Sequence, residues 1–66
     1  MSICIIHDAG NYWTNEYENV KDVLNAIESG AEIKVWWFQL HGQRYSETMW
    51  FDPEGLQAVR TESDDG

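Results

Sequence analysis

The sequence predicts a small α+β domain in which one amphipathic helix packs on one face of a largely antiparallel sheet. Three observations predict it. Runs rich in β-branched and aromatic residues occur at 3–6, 32–40 and 43–51, which is the composition of strands. Between Asn15 and Gly30 the apolar residues recur every three or four positions instead of every two, the period of a helix with one apolar stripe. Gly, Asn, Asp and Pro cluster between these runs, where the chain must turn. The resulting order is β-α-β-β, followed by a last element over 56–60 that reads as a strand or a short helix.

The first strand covers 2–7 and ends where Asp8, Ala9, Gly10 and Asn11 supply turn chemistry. Tyr12, Trp13 and Thr14 fit either a short return strand or a loop that packs one aromatic ring inward. In the helix, Asn15 suits the N-cap and Glu18 lies three residues on, the spacing of a capping box. Glu16 and Glu18 also place negative charge at the positive end of the helix dipole. Tyr17, Val20, Leu24 and Ile27, with Val23 beside them, form the buried stripe. Lys21, Asp22, Asn25 and Glu28 form the wet side, and Gly30 takes the left-handed position that ends the helix. Strands over 32–40 and 43–51 follow, joined at His41-Gly42. The run Asp52-Pro53-Glu54-Gly55 fits a type I turn that feeds a strand. It also fits an Asp52 N-cap with Pro53 first in a helical turn that sets Leu56 and Val59 on one side. The strand is the preferred reading. The domain is expected to span 1–60, with 61–66 an acidic flexible tail.

Side chains alternate along a strand, so Ile33, Val35 and Trp37 face one way and Lys34, Trp36, Phe38 and Leu40 the other. A two-residue turn at His41-Gly42 would pair Phe38 with Tyr45, Trp36 with Glu47 and Lys34 with Met49. This register keeps the Glu47 charge off the helix-covered face, where burial is costly, and is preferred. A three-residue loop over 40–42 shifts the pairing by one and sets Arg44, Ser46, Thr48 and Trp50 beside Trp36 and Phe38. Either way, one helix covers one face and large apolar groups remain on the other. A patch of that kind reaches the ~300–600 Å² of the largest apolar patch on an ordinary monomer.

Sixty-six residues make one small domain, and such a domain buries only about 60% of the surface its unfolded chain exposes. One Cys leaves no internal disulfide to supplement the core. Four Lys+Arg against twelve Asp+Glu give a net charge of −8, which repels phosphate backbones and attracts basic surfaces. No apolar run approaches the ~20 residues of a membrane-spanning helix. The short apolar run after Met1 and Ser2 lacks the basic flank of a signal peptide. A cytoplasmic protein without membrane contact is expected.

Catalytic and metal readings are weak. Cys4 and His7 have a metal-like spacing, yet residues three apart on a strand point to opposite faces and cannot share an ion. The same geometry defeats a Cys4 nucleophile with His7 as base, and no Gly-rich phosphate or oxyanion loop completes a site. The carboxylates are scattered, without the cleft that paired acids need. No enzyme activity, no cofactor and no metal are expected. Aromatics on a sheet can stack single-stranded nucleic acid, but in basic surroundings. Lys21, Lys34, Arg44 and Arg60 are spread over four elements, so direct nucleic-acid binding is not expected.

Protein binding is what the sequence favours: an acidic interaction module that binds, and inhibits or regulates, a basic protein, nucleic-acid-binding proteins being one such class. Inhibitors, antitoxin- or immunity-type proteins and DNA mimics work in this way. The residues expected to carry it are Trp36, Phe38, Leu40, Tyr45 and Glu47 on the sheet and Glu18, Asp22 and Glu28 along the helix, aromatic anchors with an acidic rim. The alternative is a structural or accessory protein whose aromatic sheet face forms a homodimer.

Overall fold

The computed structural model describes residues 2–62. Their order is β1 (Ser2–His7), β2 (Gly10–Thr14), α1 (Val20–Glu28), β3 (Ile33–Phe38), β4 (Arg44–Met49), a 3-10 turn over Pro53–Gly55, and β5 (Leu56–Glu62). The five strands form one sheet in the order β4-β3-β2-β1-β5, and every pairing is antiparallel. The α+β class with one helix on one face is therefore the fold adopted. Residues 12–14 are the return strand of a hairpin with β1, and the strand reading of 56–60 holds with an extension. Thr61 and Glu62, expected in the tail, pair with Ile3 and Ser2. The rest of that expected tail lies outside the described residues.

The helix starts later than the sequence suggests. Asn19, not Asn15, is the N-cap, and its side chain accepts the Asp22 N–H at 3.0 Å. Residues ahead of it have another task, because β2 and β3 share a single paired position, Trp13 with Trp36. Glu16 Oε1 accepts the Lys34 N–H at 2.7 Å, and the Thr14 hydroxyl donates to the Lys34 carbonyl at 2.9 Å. These two side chains replace ladder bonds that the strands do not make, so 15–18 cannot also coil into a first turn. The C-terminus ends as read. Gly30 N–H reaches the Ile27 carbonyl at 3.2 Å and Ala31 N–H the Ala26 carbonyl at 3.0 Å, the paired bonds of a Schellman motif.

The core lies between α1 and the helix side of the sheet: Ile3, Ile5, Val23, Ala26, Ile27, Ile33, Val35 and Phe51. An aromatic chain extends it toward β4. Tyr12 meets Phe51 edge-on at 5.1 Å and Trp37 at 5.5 Å, and Trp37 stacks on Tyr45 at 6.1 Å.

Both readings of 52–55 are realised in part. The Asp52 carboxylate caps a single 3-10 turn by accepting the Glu54 N–H at 3.1 Å, and β5 follows at once. This turn docks on the end of the first hairpin, with Asp8 N–H on the Gly55 carbonyl at 2.9 Å and His7 Nε2 donating to the Asp52 carbonyl at 2.9 Å. A Cβ on Gly55 would come within 2.6 Å of the His7 ring and the Asp8 carboxylate, so only glycine permits the close approach.

The β3–β4 register is the one the sequence reading set aside. Phe38 pairs with Arg44, Trp36 with Ser46, Val35 with Glu47 and Lys34 with Thr48. The connection is a three-residue loop, Leu40-His41-Gly42, closed by Gln39 N–H on the Gln43 carbonyl and Gly42 N–H on the Gln39 carbonyl. Gly42 has φ +78°, and among the described residues only glycines have positive φ. A two-residue turn would have required positive φ at His41 as well, which a residue with a Cβ resists. The objection to this register was the burial of Glu47. It does not apply, because α1 packs toward β5 and Glu47, on the outer strand β4, is exposed.

Candidate functional site

The register fixes which side chains share the face opposite the helix. Across the middle of the sheet they run Ser46, Trp36, Trp13, Cys4 and Arg60, from β4 to β5. The next row toward the hairpin tips holds Arg44, Phe38, Asn11, Ile6 and Ala58. On the other side lie Thr48, Lys34, Ser2 and Glu62. Among the described residues no helix covers this face.

Trp13 partly covers it instead. Its indole Nε1 donates to Glu62 Oε2 at 2.9 Å, yet Trp13 is on β2 and Glu62 on β5, with β1 between them. The indole and the Glu62 side chain therefore meet across β1. This accounts for Ser2 and Cys4 being only 6% and 1% exposed on a face without a covering layer. Burial pushes the Cys4 thiol above its ordinary range; the Glu62 carboxylate adds to the rise and Arg60 opposes it. A buried thiol held neutral is a poor nucleophile.

The other two rings stay open. Phe38 is 56% exposed and stands edge-on to Trp13, with ring centroids 6.1 Å apart. Trp36 is half-buried, and the Arg44 guanidinium lies over its ring at 4.8 Å, a cation–π contact. Trp13 and Trp36, directly opposed across β2 and β3, form a floor with Phe38 at its side.

Charge is divided between the two sides of the molecule. Among the described residues, the strand positions of the open face carry Lys34, Arg44 and Arg60 against one carboxylate, Glu62. Those are three of the four Lys and Arg in the chain. The helix keeps Lys21 alone, beside Asp22 and Glu28 and near Glu18.

The residues expected to form one interaction site are therefore separated. Trp36 and Phe38 share the open face. Tyr45 and Glu47 are on the helix side of β4, opposite Trp37 and Val35. Leu40 is fully exposed at the hairpin tip. Glu18, Asp22 and Glu28 lie on the helix or just ahead of it, so the carboxylates do not rim the aromatic patch. Sequence reasoning left Trp13, Arg44, Lys34 and Arg60 out of the site. The signal was present in part, because Lys34, Trp36 and Phe38 alternate on one strand.

Cys4 and His7 fall on opposite faces of β1, as their spacing requires. Among the described residues, no group of three His, Cys, Asp or Glu is placed to hold a metal ion. A groove of about 340 Å³ lies on the helix side, lined by Ile3, Asn15, Tyr17 and Glu18; it gathers one carboxylate and no partner for acid–base chemistry. No helix among the described residues is long and apolar enough to cross a membrane. No family model, no curated protein and no solved structure matches the chain.

Proposed function

We propose that the protein is a non-enzymatic interaction module whose acidic helix side binds a basic protein and thereby inhibits or regulates it. The observation that carries this reading is the division of charge. A charge that serves solubility alone has no need to keep cations and anions on opposite sides. Here the cations leave the helix side, so Glu18, Asp22 and Glu28 act with Lys21 as the only nearby positive group on α1. Such a surface steers a basic partner by long-range attraction and fixes its orientation on contact.

The alternative, a homodimer formed through the aromatic sheet face, is disfavoured by the same division. Two copies packed face to face would bring six cations together, Lys34, Arg44 and Arg60 from each, against two Glu62 carboxylates. Like charges at an interface cost several kcal/mol when desolvated.

A pull-down from the native cell tests the reading, with the wild type and a Glu18→Gln/Asp22→Asn/Glu28→Gln variant as paired baits. The wild type should retain a basic protein that salt releases, and the variant should retain it poorly. Equal retention by both baits, or no basic protein on either, would reject the acidic side as the binding surface.

A further inference from the structure

We propose that the open sheet face is a stacking platform for single-stranded nucleic acid, a short stretch of a few nucleotides lying across the strands. The inference is independent of the acidic side and reverses an expectation from the sequence. In the sequence the aromatics lack basic surroundings, because the four cations are scattered along the chain. The fold collects Lys34 and Arg44 around Trp13, Trp36 and Phe38, with Arg60 beyond Trp13 in an ion pair with Glu62 at 3.6 Å.

Several features select this occupant. Bases stack on aromatic rings without regard to sequence, and nearby cations take the phosphates. Arg44 already lies over the Trp36 ring at 4.8 Å, and a guanidinium beside an aromatic ring can contribute to holding a stacked base. Asn11, Ser46 and Thr48 sit beside the rings with groups that donate and accept hydrogen bonds.

The net charge of −8 does not forbid this; it sets the salt dependence. The Debye length is about 8 Å at physiological ionic strength and about 30 Å at 0.01 M. The molecule is 19 Å across its shortest dimension, with the helix carboxylates behind the sheet. At physiological salt the phosphates contact the local cations and are screened from the acidic side. At low salt the whole molecule repels them. Affinity should therefore rise as salt increases from about 0.01 to about 0.15 M. Above that it should fall gently, with a log–log slope no steeper than about −2 for three cations. A purely electrostatic binder weakens over the entire range.

The experiment is a titration of the full chain with a twelve-nucleotide oligo-thymidylate, read by quenching of the tryptophan fluorescence, at ionic strengths from low to high. The same-length duplex and poly-glutamate serve as comparison probes. Oligo-thymidylate should quench, with the rise and fall in affinity just described, while the duplex and poly-glutamate should not. Phe38→Ala and Arg44→Ala, both at exposed positions, should each weaken binding about ten-fold or more with an unchanged circular dichroism spectrum. The proposal is overturned if poly-glutamate quenches equally, because the face then reads only charge. It is also overturned if no oligonucleotide binds at any salt, if both variants bind as the wild type does, or if light scattering finds the face closed in a dimer.

Discussion

The two faces of this sheet come from the same alternating strands and hold their aromatic rings in opposite ways. On the helix side the rings hold one another. Phe51 is 2% exposed, Tyr12 bridges it to Trp37, and Trp37 stacks on Tyr45. On the open side each tryptophan is held by a charged group, Trp13 by Glu62 and Trp36 by Arg44. Rings packed on rings exclude water and stabilise the fold. Rings held by carboxylate and guanidinium keep one surface wet and available. Where no second layer of the described residues covers the sheet, charged partners let aromatics remain on the surface as an ordered platform.

Core and platform should respond very differently to the same truncation. Phe51→Ala should cost about 3–5 kcal/mol. Total stability at this size is roughly 3–10 kcal/mol, so chemical denaturation should find that variant largely or wholly unfolded. Phe38→Ala should shift the denaturation midpoint by no more than about 0.5 kcal/mol equivalent, as for an ordinary surface position. If the two variants lost comparable stability, the open face would be part of the core.

The seam between β2 and β3 comes next in size. Thr14 is fully buried, donates to the Lys34 carbonyl and accepts the Glu16 N–H. Thr14→Val keeps the shape and removes both bonds, which should cost about 1–3 kcal/mol in a urea titration. A neutral result would mean that the strands join without these side chains.

The smallest effect concerns Cys4, whose burial is assigned to the Trp13 indole. The native thiol should react slowly with a thiol reagent at mildly alkaline pH, and Trp13→Ala should accelerate it without unfolding the protein. Because the folded thiol titrates above its ordinary value of 9.0, its contribution to stability is complete below that pH. It is lost as pH rises through the folded value, and Cys4→Ala should flatten that alkaline decline. Equal labelling rates with and without Trp13 would contradict the assignment of that burial to the indole.

How much was legible in the sequence follows from what each feature depends on. Strand and helix segments are local, written in periods of two and 3.6; of the expected stripe, Tyr17, Val20, Val23 and Ile27 meet the core, whereas Leu24 lies outside it and Ala26 takes part instead. The helix start was misplaced because Glu16 serves a strand eighteen residues away, which no local rule detects. Register was the decisive loss. One residue more or less in the loop over 40–42 decides whether Arg44 or Tyr45 joins Trp36 and Phe38. With it goes the division of charge, and with that the composition of the site. A usable sign was present, since a two-residue turn would have forced His41 into a conformation that glycine, asparagine and aspartate tolerate better. The burial cost of Glu47 outweighs that sign only if the one helix covers its whole face of the sheet, and the structure adds strands that carry β4 beyond it.

The central claim is that the Trp36 face is open and free for another molecule. Light scattering of the unliganded protein at micromolar concentration tests it directly. The account predicts a 7.7 kDa monomer whose mass is unchanged by Arg44→Glu. A stable dimer that Phe38→Ala or Arg44→Glu dissociates would show that the face is closed by a second copy, and would contradict the account.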